Sequence, residues 1–142
     1  MGLDQYGMIR NKQIDFKKVY SDKYEPQKDG FVWRKHARLQ TFMAREFKKQ
    51  NPKEDTDAHS SMNGMGFNGD EHKVVITKDV LKRLENAIKE KYYNFFAPDG
   101  FFWGHQFQEE QVKAYKKQDL EFIKFCKNAL EKKEVIEYSC SW

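Results

Sequence analysis

The chain has 142 residues, of which 39% are hydrophobic, 34% charged and 15% aromatic, and its formal net charge is +4. This length fits one domain, over residues 1–142, and the aromatic content excludes a disordered chain. No apolar run approaches the roughly 20 residues of a membrane span, and the charge permits an anionic partner without requiring one. The two cysteines, Cys126 and Cys140, form no C-x-x-C pair, which favours a reducing cytoplasm.

The N-terminal half predicts one strand and one helix. "GLDQYGMIR" has the composition of a strand, and the charged segment after it is interpreted as a long surface loop closed by Asp29-Gly30. A helical period then runs from Trp33 to Lys49, with an apolar arc on one side. The opposite side of this helix is basic: Arg34, Arg38, Arg45 and Lys48.

Residues 51–72 form the longest loop that the sequence predicts, and it is rich in glycine. "GMGFNG", residues 64–69, matches G-x-G-x-x-G, which wraps a dinucleotide's phosphates when it follows a strand and opens a helix. Here a short strand, "KVVIT", follows the glycines instead. We therefore interpret the segment as a loop and not as a dinucleotide site.

The C-terminal half predicts two helices and a strand. Thr77 is a good N-cap for a helix that continues to about Phe95, and a longer helix spans about 108–132. The tail alternates between apolar and polar residues, as a half-buried strand does. We expect an α+β fold: a small sheet containing both terminal strands, packed by three amphipathic helices on one face. The inward residues of the tail are Ile136, Tyr138, Cys140 and Trp142.

Two segments suggest a binding site for an anion: the basic side of the first helix, with Trp33 at its start, and the turn "DGFFWGHQFQ". Guanidinium groups suit phosphate or carboxylate, and an indole beside them could stack on a base. The alternative is a solvated helix face. The turn "DGFFWGHQFQ" holds three consecutive aromatic rings, so at least one should line a pocket or interface, unless all of them plug the helix layer. The candidate ligand-binding residues are Trp33, Arg34, Lys35, Arg38, Phe102, Trp103, His105 and Gln106.

His36 and Asp119 are polar residues on the apolar arcs of two predicted helices. Buried polar groups need partners, so we expect the two to meet, either as a structural pair or as a general acid and base. His59, His72 and His105 lack metal-ligand spacing, and we expect no metal site and no cofactor. No motif of a nucleophilic enzyme is present in the sequence.

Four short motifs together resemble a group of small proteins encoded mostly by tailed bacteriophages. They are "MGLDQY" at the start, "FVWRK", the "DGFFWG" turn and the closing "YSCSW". Members of this group typically begin MGLD, contain W-R-K and end in S-W, and they are often labelled phosphoglycerate kinase. The resemblance implies phage origin and location in a host cytoplasm. It does not carry the kinase label, because that enzyme closes two large domains on its substrates and 142 residues cannot supply them.

These observations favour a phage accessory protein that binds an anionic, nucleotide-like small molecule without catalysis. Two alternatives are a small hydrolase or transferase that uses His36 or His105 with Asp119 or Asp4, and an inhibitor that binds a host protein. Mixed charges on the later helices argue against binding to long nucleic acid. A homo-oligomer is compatible with the sequence. If the terminal strands are neighbours, Asp4 and Arg34 form a charge pair at one edge of the sheet.

Overall fold

The computed structural model describes residues 3–53, 72–92 and 112–141. The loop "GMGFNG", the "DGFFWG" turn and Trp142 lie outside these residues. The strands are β1 (Asp4–Ile9), β2 (Phe31–Arg34), β3 (Val74–Val75) and β4 (Ile136–Ser141). The helices are α1 (Phe16–Val19), α2 (Pro26–Asp29), α3 (Ala37–Gln50), α4 (Lys78–Lys89) and α5 (Val112–Glu131).

The described strands form one antiparallel sheet in the order β2-β1-β4-β3. Both terminal strands lie at its centre, with Asp4 opposite Arg34 on β2 and opposite Ser141 on β4. This confirms the predicted α+β fold with paired terminal strands. Arg34 Nε also lies 3.7 Å from Asp4 Oδ1, so the expected charge pair is present, although both side chains are substantially exposed.

The predicted start of the first long helix is wrong. Phe31–Arg34 is a strand, and α3 begins only at Ala37. Buried and more exposed residues alternate along this strand, with Phe31 and Trp33 buried. Four residues are too few for this alternation to be distinguished in the sequence from the helical period that follows. Lys35 has a φ of 57°, which turns the chain, and His36 then caps the helix by accepting a hydrogen bond from Leu39 N.

Alternation along the strands gives the sheet one buried face. α3 and α5 cover that face: Gln40 of α3 hydrogen bonds with Tyr138, and Phe122 of α5 packs edge-to-face on Trp33. α4 packs against α5 and is joined to α3 by the buried Glu46, which accepts two hydrogen bonds from the Arg83 guanidinium. The buried strand residues are Gln5, Gly7, Phe31, Trp33, Val74, Ile136, Tyr138 and Cys140.

Side chains occupy backbone groups on both outer strands of the sheet. On β2, the carbonyl of Val32 accepts from Gln118 Nε2, and that of Arg34 accepts from the Tyr115 hydroxyl. On β3, the Gln50 amide donates to the Val75 carbonyl at 2.8 Å and accepts from the Val75 N–H at 3.0 Å. These bonds occupy groups with which another strand would otherwise pair.

Two other predictions of local structure need correction. The segment expected to be a surface loop before Gly30 contains the single-turn helices α1 and α2. The second long helix is capped by Thr77 as predicted, but it ends at Lys89 and not near Phe95. In the described residues, no helix has the length and apolar character needed to cross a bilayer.

Candidate functional site

The predicted pairing of His36 with Asp119 is confirmed. His36 Nε2 lies 2.8 Å from Asp119 Oδ2, and the two side chains are 2% and 1% exposed. His36 stands at the N-cap of α3, immediately before the helix in which it was expected, and Asp119 is in α5. The contact therefore ties the start of α3 to the middle of α5 inside the core.

Asp119 accepts hydrogen bonds from three different side chains. Trp33 Nε1 donates to Oδ1 at 2.9 Å, and the Tyr92 hydroxyl donates to Oδ2 at 2.7 Å, beside the contact with His36. A buried carboxylate needs such donors, because an unpaired charge in the core is strongly unfavourable. Burial, together with the neighbouring Asp119 carboxylate, raises the pKa of Tyr92 well above its ordinary value, so its hydroxyl stays a donor.

Several contacts fix the His36 ring. Its Nδ1 accepts from Leu39 N at 3.5 Å, so the neutral tautomer with the proton on Nε2 satisfies both ring nitrogens. The ring stacks on Tyr115, with centroids 4.1 Å apart and planes 7° apart. The Gln5 side chain accepts from the backbone N–H of His36 and donates to its carbonyl. His36 is thus fixed by backbone, ring and carboxylate contacts together.

A cavity of about 40 Å³ opens beside this network, and we call it the basic cavity. Arg38 comes from the first turn of α3, Lys91 follows the end of α4, and Lys116 comes from α5. Both lysines are exposed and Arg38 is half-buried, whereas the remaining lining residues are mostly buried. Carbon atoms make up most of the lining surface. The full lining is His36, Arg38, Ile88, Lys91, Tyr92, Tyr115, Lys116 and Asp119.

The basic cavity carries excess positive charge. Its lining contains three cations and one carboxylate, which gives +2 when His36 is counted as neutral. Neither Lys91 nor Lys116 forms an ion pair with any residue that the structure describes. Because Asp119 is buried whereas Lys91 and Lys116 are exposed, an anion that approaches from solvent meets the lysine ammonium groups first.

The structure brings only part of the predicted binding site together. Arg38 lines the basic cavity. The backbone of Arg34 is near it, since the Arg34 carbonyl accepts from the Tyr115 hydroxyl at 2.7 Å, but the Arg34 side chain lies beside Asp4 and does not line the cavity. Lys35 is half-exposed at the turn before α3. Trp33 is 1% exposed, so it does not offer a surface ring for stacking, contrary to the expectation. Phe102, Trp103, His105 and Gln106 lie outside the described residues.

The sequence analysis missed five lining residues as site residues: Ile88, Lys91, Tyr92, Tyr115 and Lys116. The two tyrosines fall in the apolar stripes of helical periods in the sequence. Their spacing is that of ordinary core residues, and the lysines are two among many. No local pattern distinguishes these residues, because they meet only when α3, α4 and α5 pack together.

The two cysteines are buried and reduced. Burial raises the pKa of Cys140 to about 12 and raises that of Cys126 further. We expect both thiols to react with a disulfide reagent at pH 8 at least about a hundredfold more slowly than in the unfolded chain, because the thiolate is the nucleophile. Stopped-flow absorbance with and without urea measures this ratio, and rapid reaction of either folded thiol would contradict it.

In the described segments, no three histidine, cysteine or acidic side chains cluster closely enough to hold a metal ion. Comparison of the chain with models of protein families, with curated proteins and with solved structures finds no match.

Proposed function

We propose that this protein is a phage-encoded accessory protein of the host cytoplasm that binds an anionic, nucleotide-like small molecule at the basic cavity, without catalysis. Sequestration of a host signal nucleotide is one concrete role. The observation that carries the proposal is the meeting of Arg38, Lys91 and Lys116 at the rim of a cavity walled by aromatic rings.

The chemistry of the lining supports this ligand class. Ammonium and guanidinium groups bind phosphate through charge-assisted hydrogen bonds, which are roughly twice as strong as neutral ones. The rings of Tyr92 and Tyr115 give the cavity an apolar wall, and the charged ends of Lys91 and Lys116 are exposed beside it. A ligand that carries phosphate groups therefore meets several cations at one place.

The arrangement of His36 and Asp119 favours binding over catalysis. A general base needs a nitrogen that can take a proton from the substrate, but both ring nitrogens of His36 already have partners. The Asp119 carboxylate likewise accepts from three donors and is 1% exposed. Proton transfer would require the N-cap or the carboxylate contact to break first.

Calorimetric titration with ATP and GTP tests the proposal. We expect binding at millimolar concentration or tighter, and a threefold to tenfold loss of affinity in Arg38→Gln, the usual scale of one charge-assisted contact. The matched control is Arg45→Gln, because Arg45 is an exposed arginine of the same helix and does not line the cavity. Absence of binding by any nucleotide at millimolar concentration would refute the proposal.

A small hydrolase or transferase is the second candidate, because the His36 and Asp119 side chains are within hydrogen-bond distance. It requires turnover of a phosphate ester that is lost in His36→Gln while ligand binding persists. Binding without turnover would favour the first candidate. The third possibility, inhibition of a host protein, is tested by capture from host lysate.

A further inference from the structure

The helix end that carries Lys91 has an unusual backbone. α4 closes with two hydrogen bonds, from Lys91 N to the Ile88 carbonyl and from Tyr92 N to the Ala87 carbonyl at 2.7 Å. This pattern is a Schellman motif, whose residue after the cap is usually glycine because it adopts a left-handed conformation. Here Lys91 has a φ of 55° and Tyr92 a φ of 54°.

The same motif ends α5, where a lysine again occupies the left-handed position. Lys133 has a φ of 61°, and the bonds from Lys133 N to Leu130 and from Glu134 N to Ala129 match those of α4. A residue other than glycine is strained in this conformation. The two lysines thus share a backbone state, but only Lys91 lines the basic cavity.

The size of the basic cavity limits what a ligand can place inside it. A water molecule needs roughly 10–15 Å³ of such space, so about 40 Å³ accommodates only about three waters. A purine has about ten ring and exocyclic heavy atoms and cannot be enclosed there. The carbon lining also disfavours a desolvated phosphate within the cavity, since buried charge needs polar partners.

The charged groups at the rim, unlike the carbon lining of the cavity, are open to solvent. The Lys91 and Lys116 ammonium groups stand on exposed side chains, and Arg38 is half-buried beside them. Arg38 and Lys116 are supplied by α3 and α5, and Lys91 by the turn that follows α4. A chain of phosphates can contact several of them at once, because every phosphate has acceptor oxygens on all sides.

We propose that the basic cavity selects its ligand by the number of negative charges that the ligand places at the rim, and not by the identity of a nucleotide base. Its ligand class is then a polyphosphate chain, with or without a nucleoside attached. This inference rests on the proposed binding function and specifies which part of the ligand is recognised. Lys91, Lys116 and Arg38 contact the phosphates, and the nucleoside stays outside the cavity.

A titration series separates this inference from the proposed function. In buffer without divalent cations, we expect affinity to rise several-fold from AMP to ADP to ATP and to fall as salt is raised, since exposed charges are screened. ATP, GTP, CTP and inorganic tripolyphosphate should bind within about threefold of one another. Discrimination above about tenfold between bases, or failure of tripolyphosphate while ATP binds, would overturn the inference and leave the function standing. If none of these ligands binds, both fail.

A pair of glycine variants tests the role of Lys91. Lys91→Gly should weaken tripolyphosphate binding about threefold to tenfold, the scale of one charge-assisted contact. Lys133→Gly is the matched control and should bind as the parent does, because it makes the same change in the same helix-end motif. Neither variant should lower the melting temperature appreciably, since glycine relieves the left-handed strain. Equal binding by Lys91→Gly and the parent would overturn the assignment of Lys91.

Discussion

Replacing Asp119 by alanine is expected to lower the free energy of unfolding by about 3–5 kcal/mol, the range for breaking a buried charged network. The change leaves three buried donors without their acceptor: Trp33 Nε1, His36 Nε2 and the Tyr92 hydroxyl. Each unsatisfied buried donor costs about 1–3 kcal/mol. Urea unfolding followed by tryptophan fluorescence measures the loss, because Trp33 lies in the network itself.

Two further variants make this result specific. Asp119→Asn keeps one acceptor oxygen, so it should lose less stability than alanine and provides a measurement if Asp119→Ala does not fold. Glu121→Ala removes a carboxylate two residues along the same helix, where it is half-buried and is not among the partners of Asp119, and should change stability by about 0.5 kcal/mol or less. A loss below about 1 kcal/mol in Asp119→Ala would show that the network contributes little.

Replacing Phe122 by alanine is expected to cost about 3–5 kcal/mol, the usual range for a buried phenylalanine. Its side chain is fully buried and packs edge-to-face on Trp33 and Phe31, with centroids 5.0 and 5.1 Å away. The ring lies directly over Gly7, where a Cβ atom would be 2.6 Å from Phe122 Cε1. Gly7→Ala should therefore cost about 1–3 kcal/mol through overpacking.

The contact between Gly7 and Phe122 can be tested by a double-mutant cycle. In the double variant Gly7→Ala/Phe122→Leu, the smaller leucine side chain makes room for the added methyl group. The double variant should therefore lose less stability than the sum of the losses in the two single variants. Chemical denaturation of the four proteins gives the coupling. Leu120→Ala serves as a control on the same helix, because Leu120 is 45% exposed. Strict additivity would contradict the close approach that the structure describes.

Local patterns predicted the elements whose signals are contained within a few residues. Alternation in the tail identified β4 and its inward residues, and Thr77 marked the start of α4, since an N-cap acts within one turn. The pairing of His36 with Asp119 was also predictable, because a polar residue on a buried face must find a polar partner. The strand β2 was missed because its four residues join a strong helical period.

Tertiary structure decided the rest, including the candidate site. The apolar period of α4 continues in the sequence to Phe95, yet the helix ends at Lys89. The chain turns there through Lys91 and Tyr92, and the Tyr92 hydroxyl donates a hydrogen bond to Asp119. The basic cavity likewise joins Arg38, Lys91 and Lys116, which are far apart in the chain. Periodicity determines which face of each helix is buried, but which cations meet at a rim depends on how three helices pack against one sheet.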